Sequence, residues 1–444
     1  MRQRSTGLVE RVASAVRDGR LTAQQSIALT LERINQHNPV LKAFVSVDAT
    51  EALAQASLVD AGPKDHLPLA GIPIGVKDII DVRGIPTRAG SRAMEGAAPA
   101  VADAEIVARL RSAGAIIVGK TKTTELATMD PTDTVNPYDP SCTPGGSSSG
   151  SGAAVGAGLV PVALGTQTAG SLCRPAAYCG AAAFKPTHNR IPLTGIVPLA
   201  TSFDTVGPIA RSQRDCAQVL EALDIHSAAS EVDGAQIAIP DAALWYADAD
   251  ASMLEYLDYV RGKLIRQGAR LTIIPPLFDR AAILSDHRIV MARGAYLAHH
   301  ALFEISAASM GPNIAQLLSE GATIPDSSAA DALCRLASAA TAVWTRLESF
   351  HACLLLPVPA PAPRGHATTG NASYLTPWSS FLGPLATLAG RLDRNGLPIA
   401  LMLAAAPGAD ERLLGLAMSV EALTDELPIA APSFGTPVLE EVLR

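Results

Sequence analysis

Two serine-rich, glycine-flanked turns hold the residues of this chain that are best suited to chemistry. The first covers residues 143–152 (Thr-Pro-Gly-Gly-Ser-Ser-Ser-Gly-Ser-Gly) and the second covers residues 165–171 (Gly-Thr-Gln-Thr-Ala-Gly-Ser), with an apolar segment between them. Such turns direct hydroxyls and backbone N–H groups at one point. That suits acyl transfer, in which a hydroxyl attacks a carbonyl carbon and N–H donors hold the oxyanion. Neither turn contains a base, so another segment has to supply it.

Residues 114–121 (Gly-Ala-Ile-Ile-Val-Gly-Lys-Thr) match the pattern of a phosphate-binding loop. That loop needs a strand before its first glycine and flexible backbone after it. Here a helical pattern precedes Gly114, and residues 115–118 are typical of a buried strand. We therefore expect a helix end followed by a core strand, and no nucleotide site.

Residues 146–150 fit the G-x-S-x-G pattern, which would make Ser148 the nucleophile of an α/β-hydrolase. That turn requires a strand directly before it, and residues 136–144 do not have a strand pattern. A histidine base would also be needed, and His188 and His366 both lie in loop-like sequence. This interpretation is therefore disfavoured.

The elements that must position these turns alternate between helix and strand. Thr22-Ala23-Gln24-Gln25 is a capping box that begins a helix reaching about Gln36, and a further helix is expected near Ser149. Other helices are predicted at 103–113, 251–267, 280–306 and 328–350, and strands at 72–76, 115–118, 236–239, 271–274, 353–357 and 399–403. This alternation predicts an α/β fold with a covered central sheet, in one domain over residues 1–444.

Composition excludes several classes of function. The 444 residues are 48% apolar and 17% charged, which is enough for a large core. A net charge of −7 argues against a nucleic-acid binder. No apolar run predicts a membrane span, and the six scattered cysteines have no metal-ligand spacing. We expect a cytoplasmic protein with reduced thiols, no membrane or nucleic-acid partner, no metal and no cofactor.

Several ordered motifs resemble the amidase signature family over about residues 21–423. Supporting matches are Gly119-Lys120-Thr121, Cys179-Gly180, Phe184-Lys185-Pro186-Thr187, Phe203-Asp204-Thr205-Val206-Gly207-Pro208, residues 371–383 and Gly396-Leu397-Pro398. The three hallmark matches are Gly71-Ile72-Pro73-Ile74-Gly75-Val76-Lys77-Asp78, Gly145-Gly146-Ser147-Ser148 and Thr168-Ala169-Gly170-Ser171. The resemblance implies one α/β/α domain around a large mixed sheet, with a signature core at about 65–215, N-terminal helices at 5–60, and residues 216–444 completing the sheet.

The resemblance also implies a Ser–cis-Ser–Lys triad for amide hydrolysis. Ser171 matches the nucleophile, Ser147 the bridging serine next to a cis peptide bond, and Lys77 the base. A lysine can remove a proton only when neutral, so a pKa near 7 requires lowering the ordinary value of ~10.4 by about 3 units. Burial after the apolar run 72–76 could do this. The expected oxyanion donors are the backbone N–H groups of Thr168, Ala169, Gly170 and Ser171.

The chain departs from the usual family pattern Gly-Thr-Asp-Thr-Gly-Gly-Ser-Ile-Arg. Gln167 stands in place of the acid and Cys173 in place of the base, so both members of an expected ion pair are replaced together. Arg174 follows one position later and could substitute in part. Ala169 replaces a glycine and would be strained if the position required a positive φ. We expect activity to survive, and no nucleophilic role for Cys173.

The substrate is expected to be a small or medium carboxamide, hydrolysed through an acyl-enzyme on Ser171, in a homodimer. Met129, Ser148 and Tyr178 are candidate pocket residues. The alternatives are a glutaminase subunit of a tRNA-dependent amidotransferase, an esterase or acyl transferase, and a catalytically inactive assembly component. Intact triad positions argue against the last of these.

Overall fold

One mixed sheet of eleven strands organises the part of the chain that the computed structural model describes, residues 6–424 and 431–443. In chain order the strands are β1 Phe44–Val47, β2 Pro73–Lys77, β3 Ile116–Thr121, β4 Val162–Gln167, β5 Ala182–Lys185, β6 Thr205–Ala210, β7 Gln236–Pro240, β8 Arg270–Ile274, β9 Ala352–Leu355, β10 Leu385–Leu392 and β11 Pro398–Ala404. Their order across the sheet is β1-β3-β2-β4-β6-β5-β10-β11-β9-β7-β8. β2 is parallel to β3 and β4, β7 is parallel to β8 and β9, and the other neighbours are antiparallel.

The α-helices of the described residues lie before, between and after these strands. They are α1 Leu8–Arg17, α2 Ala23–Leu41, α3 Ala49–Ala61, α4 Glu105–Ser112, α5 Ser149–Gly156, α6 Cys173–Tyr178, α7 Gln213–Glu221, α8 Ala242–Trp245, α9 Ala251–Arg266, α10 Arg280–Ser306, α11 Pro312–Thr323, α12 Asp326–Arg346, α13 Thr376–Ser380, α14 Asp410–Thr424 and α15 Val438–Val442. Of these, α1 and α2 precede the first strand, α14 and α15 follow the last, and the others lie in the connections between strands. The predicted α/β class with a large mixed sheet is confirmed.

Helices cover the strands that lie nearest the catalytic candidates. Every residue of β2, β3 and β4 is buried, so both faces of this part of the sheet are shielded from water. α6 packs against β5, β10 and β11, and α5 packs against α6 and β4. Gly152 permits the approach of α5 to α6, since a Cβ there would lie 2.9 Å from the Cβ of Pro175.

Most predicted elements are present, with ends that move by a few residues. The capping box at Thr22 is formed, and its helix α2 runs on to Leu41. The helix predicted at 280–306 has those bounds, and the helix expected near Ser149 begins there. Residues 116–121 form the buried strand β3 after the helix α4, so the phosphate-loop pattern belongs to the core of the sheet.

Strands from residue 44 to residue 404 share the one sheet, and the organisation of residues 1–444 as a single domain stays a prediction. Residues 1–5, 425–430 and 444, which include both ends of the predicted domain, lie outside the described residues. None of the helices described here combines the length and the apolar character needed to cross a membrane.

Candidate active site

The parallel pairing of β2 with β4 places Lys77 beside the second serine turn. Val76 is in register with Leu164, so the carboxyl ends of both strands meet at one edge of the sheet. Lys77 is the last residue of β2, and its Nζ donates to Ser147 Oγ and to Thr166 Oγ1, each at 2.7 Å. These partners are 70 and 89 residues away in sequence.

Ser147 lies in a turn that other segments hold in place. Gly145 begins the turn with φ +83°, a region that favours glycine, and the Gly146–Ser147 peptide bond is cis, as the resemblance implied. The Ser147 carbonyl accepts from Thr124 N at 3.1 Å, and Ser148 N donates to the carbonyl oxygen of Ser171 at 3.1 Å. The last contact joins the two serine turns directly.

The three predicted triad residues differ in their access to solvent. Lys77 and Ser147 are fully buried, whereas Ser171 keeps 8% of its surface exposed. Burial lowers the pKa of Lys77 to about 7, and the nearby negative charge of Asp204 acts in the opposite direction. The amine is therefore partly neutral near pH 7, which a general base requires.

The strip Thr168–Ser171, which links β4 to α6, is fixed from two sides. Thr168 Oγ1 donates to Asp204 Oδ1 at 2.5 Å, and Asp204 Oδ2 accepts from the backbone N–H groups of Leu199 and Ala200 at 2.9 Å each. On the other side, Ser379 Oγ donates to the Ala169 carbonyl at 2.5 Å. Ala169 does not adopt a positive φ, so its Cβ causes none of the strain considered from sequence.

Gln167 caps a helix where the usual pattern has an acid. Its Oε1 accepts from the backbone N–H groups of Leu172 at 3.0 Å and Cys173 at 2.9 Å, at the beginning of α6. Its Nε2 donates to Ser379 Oγ at 2.9 Å, the same hydroxyl that holds Ala169. A neutral amide supplies both the acceptor and the donor, so no charged partner is required at position 173.

Arg174 does not take over the missing ion pair. Its guanidinium donates to the Gly146 carbonyl at 2.6 Å, the Gly370 carbonyl at 2.9 Å and Thr369 Oγ1 at 3.1 Å. It therefore ties the first serine turn to the segment around residue 370. Cys173 is buried, and burial raises the pKa of its thiol to about 11, which opposes a nucleophilic role.

The residues of the two disfavoured patterns have structural partners. Lys120 pairs with Asp78 at 3.0 Å inside the core, and Ser148 Oγ accepts from Thr166 N at 3.2 Å. The His188 and His366 rings contact the carbonyl oxygens of Thr201 and Pro140 respectively.

A cavity of about 200 Å³ adjoins the strip that contains the expected oxyanion donors. Thr166, Thr168 and Asp204 are among the residues that line it. The candidate pocket residues Met129, Ser148 and Tyr178 are not part of its lining: Met129 is 44% exposed, and Ser148 and Tyr178 are buried. Their role in substrate binding stays a prediction.

Sequence reasoning did not assign functions to Thr166 and Asp204. Thr166 shares Lys77 Nζ with Ser147, and Asp204 joins the strip to the cavity wall. Both lie inside motifs that the resemblance used, Thr166 in the second serine turn and Asp204 in Phe203–Pro208. Membership of these motifs was the available signal, but nothing in the sequence indicated which partner each side chain contacts.

Comparison with known proteins identifies the family of the chain. The profile of the Amidase family matches residues 25–414. A glutamyl-tRNA(Gln) amidotransferase subunit from Synechococcus sp. (strain RCC307) is 42% identical over 223 residues, which cover 48% of this chain and 46% of that protein. The chain thus spans about half the length of the curated relatives it matches.

Solved structures match over nearly the whole chain. A crystal structure of an amidase is 26% identical with a TM-score of 0.86, covering 94% of this chain and 100% of the other. The native peptide amidase from Stenotrophomonas maltophilia is 25% identical with a TM-score of 0.81, covering 97% and 99%. Together with the family profile, these matches show that the chain belongs to the amidase signature family.

Proposed function

We propose that this protein hydrolyses a small or medium carboxamide through an acyl-enzyme on Ser171, with Ser147 as the bridging hydroxyl and Lys77 as the base. One observation carries the proposal: a fully buried lysine with a pKa near 7 lies 2.7 Å from the hydroxyl of a serine whose turn is bonded to that of Ser171. Such a lysine can accept a proton that an ordinary surface lysine cannot.

The first half-reaction acylates the enzyme. Ser171 Oγ attacks the carbonyl carbon, its proton passes to Ser147 Oγ, and the Ser147 proton passes to neutral Lys77 Nζ. The carbonyl π electrons move to oxygen and form the tetrahedral oxyanion. When this intermediate collapses, the C–N bond breaks and the proton returns from Lys77 through Ser147 to the leaving nitrogen. Ammonia or an amine departs.

The second half-reaction releases the acid. Water attacks the ester carbonyl of the acyl-enzyme, and its proton follows the same route to Lys77. Collapse of the second tetrahedral intermediate breaks the bond to Ser171 Oγ, which takes the proton back. The products are the free serine and a carboxylic acid, which loses its remaining proton to water and becomes a carboxylate.

Oxyanion stabilisation is assigned to the backbone N–H groups of Thr168, Ala169, Gly170 and Ser171. Asp204 and Ser379 hold this strip before substrate arrives, so little reorganisation is needed during the reaction. Each donor of this kind contributes on the order of 3 kcal/mol to transition-state stabilisation. We further place the enzyme in the cytoplasm as a homodimer. The cytoplasmic assignment is supported by the six free cysteines, five of them buried.

The test combines labelling with turnover. A fluorophosphonate probe should add once to the wild-type chain, at Ser171, and an amide library should yield substrates. Ser171→Ala should keep the fold, lose the label and lose nearly all turnover. Ser149→Ala, in the same serine run as Ser147, is the matched control and should keep the label. Probe addition elsewhere, or full turnover by Ser171→Ala, would refute the proposal.

A second candidate is the glutaminase subunit of a tRNA-dependent amidotransferase. It is favoured by the 42% identity to a glutamyl-tRNA(Gln) amidotransferase subunit over about half of each chain. A glutaminase assay on the isolated chain, alongside the amide library, separates the two candidates. Preferred hydrolysis of L-glutamine would support the second, and inertness toward every amide and toward the probe would support an inactive assembly component.

A further inference from the structure

The cavity beside the active-site strip is connected to the proposed chemistry through three polar side chains. Thr166 contacts Lys77 Nζ, and Thr168 belongs to the expected oxyanion strip and is held by Asp204. A group that occupies this cavity therefore contacts Thr166, whose hydroxyl is bonded to Lys77 Nζ, and Thr168 of the expected oxyanion strip. A substituent of the scissile amide has to lie close to both.

The rest of the wall is mainly apolar. Its apolar members come from just after β2, from the segment after β3 and from the segment between β5 and β6: Ile79, Ala127, Leu193, Ile196, Val197, Pro198 and Leu199. Among the described residues that line the cavity, Asp204 is the one with an ionisable side chain, and its oxygens already accept three hydrogen bonds. None of the lining residues in the described part of the chain is a lysine, arginine or histidine.

This lining discriminates between classes of substrate. A carboxylate in the cavity would lose its hydration, would find no cation among the described lining residues, and would face the negative charge of Asp204. An aliphatic or aromatic group gains free energy in proportion to the apolar area it removes from water.

We propose that this cavity binds the uncharged, apolar substituent of the amide substrate, a short aliphatic chain or a single aromatic ring, and that it disfavours amides that also carry a carboxylate. This inference rests on the function proposed above. The size agrees: the cavity measures about 200 Å³, and an engineered apolar cavity of roughly 150 Å³ accepts benzene.

Two homologous series test the proposal and identify the side of the amide that enters. One varies the acyl group, from acetamide through propionamide and butyramide to benzamide. The other varies the amine, from N-methylacetamide through N-propylacetamide to acetanilide. We expect kcat/KM to rise about fourfold per added methylene in one series, until the cavity is full. Succinamate and L-glutamine should be at least about 100-fold poorer than butyramide, because the cavity offers their charges no partner. A flat response in both series, or a preference for the charged amides, would overturn the proposal.

Variants of the wall sharpen the test. Val197→Phe should lower kcat/KM for benzamide or acetanilide much more than for acetamide, and Leu193→Ala should move the optimum to a longer chain. Val197→Lys should reduce the ratio of kcat/KM for butyramide to kcat/KM for succinamate by about tenfold, since it supplies a cation. Val101→Lys is the matched control, because Val101 is 95% exposed and lies outside the cavity lining. If Val197→Phe and Leu193→Ala fold but leave the substrate profile unchanged, the proposal is wrong.

A binding measurement separates failure of this inference from failure of the proposed function. Benzamide or acetanilide should raise the Tm of Ser171→Ala, which needs no turnover, and succinamate should not. If no amide is hydrolysed but the neutral amides still bind, the proposed function fails and the cavity assignment survives. If amides are hydrolysed with no dependence on substituent and no such binding occurs, this inference alone fails.

Discussion

Lys77 and Lys120 occupy neighbouring parallel strands and are both fully buried, but they have different partners. Val76 of β2 is in register with Lys120 of β3, so the two lysines are nearly level in the sheet. Lys120 Nζ pairs with Asp78 Oδ1 at 3.0 Å and donates to Thr87 Oγ1 at 3.0 Å. Lys77 Nζ donates to two hydroxyls, those of Ser147 and Thr166.

This difference separates a structural lysine from a titrating one. Burial lowers the pKa of both amines, because a charge is poorly solvated inside the protein. For Lys120, a carboxylate in direct contact works against that change. For Lys77 the nearest opposing charge, Asp204, is not in hydrogen-bond contact with the amine, and hydroxyls replace the carboxylate. The same residue type in the same layer is therefore suited to an ion pair at one position and to proton transfer at the next.

The largest expected effect is the loss of activity in Lys77→Met. Without the base, kcat should fall about 10²–10⁴-fold, because proton removal from Ser171 loses its acceptor. The kcat of Lys77→Arg should fall by a similar factor, since a guanidinium stays charged at every accessible pH. Steady-state kinetics on the best library substrate measure both. Equal rates in Lys77→Met and wild type would remove the basis of the comparison.

The second prediction concerns stability at the other lysine. Lys120→Met leaves Asp78 buried without its cation and should lower the free energy of unfolding by about 3–5 kcal/mol, measured by denaturant titration. The double variant Asp78→Asn/Lys120→Met should recover much of this loss, because no unpaired charge is left. Lys77→Met should cause no comparable loss. If Lys120→Met is as stable as wild type, the Asp78–Lys120 pair is not the structural element proposed here.

The third prediction is the pH dependence of turnover. The base must be neutral, so kcat/KM should rise tenfold per pH unit below about 7 and level off above it, following the pKa of Lys77. This rising part of the profile is its acid limb. Asp204→Asn should move the acid limb to lower pH, because the carboxylate raises the pKa of Lys77. Lys120→Met, if folded, should leave the limb in place. A limb unaffected by Asp204→Asn would show that Lys77 does not control it.

The lowered pKa of Lys77 also makes stability depend on pH. The folded value of about 7 lies below the unfolded value of ~10.4, so between these pH values the unfolded chain binds more protons and the contribution of Lys77 to stability rises with pH. The cost of burying the charged amine is complete below pH 7 and disappears as pH passes about 10. Lys77→Met should therefore be more stable relative to wild type at pH 6.5 than at pH 9.5, measured as the difference between their free energies of unfolding.

Sequence reasoning reached the strand of Lys77 but not all the strands that surround it. The apolar run before Lys77 predicts β2, and its position at the end of a buried strand accounts for the burial. β6 (Thr-Val-Gly-Pro-Ile-Ala) escaped prediction because glycine and proline weaken a strand pattern, and its pairing with β4 and β5 compensates. β10 (Leu-Ala-Thr-Leu-Ala-Gly-Arg-Leu) has few β-branched residues and is likewise formed by pairing on both sides.

The contacts of the site were less predictable than its residues. The motifs named Lys77, Ser147 and Ser171, yet Thr166 reaches Lys77 across 89 residues and Gln167 reaches Ser379 across 212. No local pattern records such a distant pairing, since it depends on strand order in the sheet. For the same reason the cavity wall, assembled from β4, the segment before β6 and residues that follow β2 and β3, could not be predicted from any one stretch of the chain.

The smallest expected effects come from a matched pair, Thr166→Val and Thr87→Val, which each remove one hydroxyl from one buried lysine. A hydroxyl that accepts from an ammonium favours the charged form, so Thr166→Val should lower the pKa of Lys77 and shift the acid limb of kcat/KM to lower pH. Thr87→Val should leave the pH dependence unchanged and instead cost about 2 kcal/mol of stability, because its hydroxyl accepts from Lys120 and also donates to Asp81 at 2.6 Å, and each lost hydrogen bond costs about 1 kcal/mol. pH–rate profiles and denaturant titrations on both variants provide the comparison. If the two substitutions have the same effects, hydroxyl contacts do not distinguish the titrating lysine from the paired one, and the carboxylate of Asp78 alone must account for the difference.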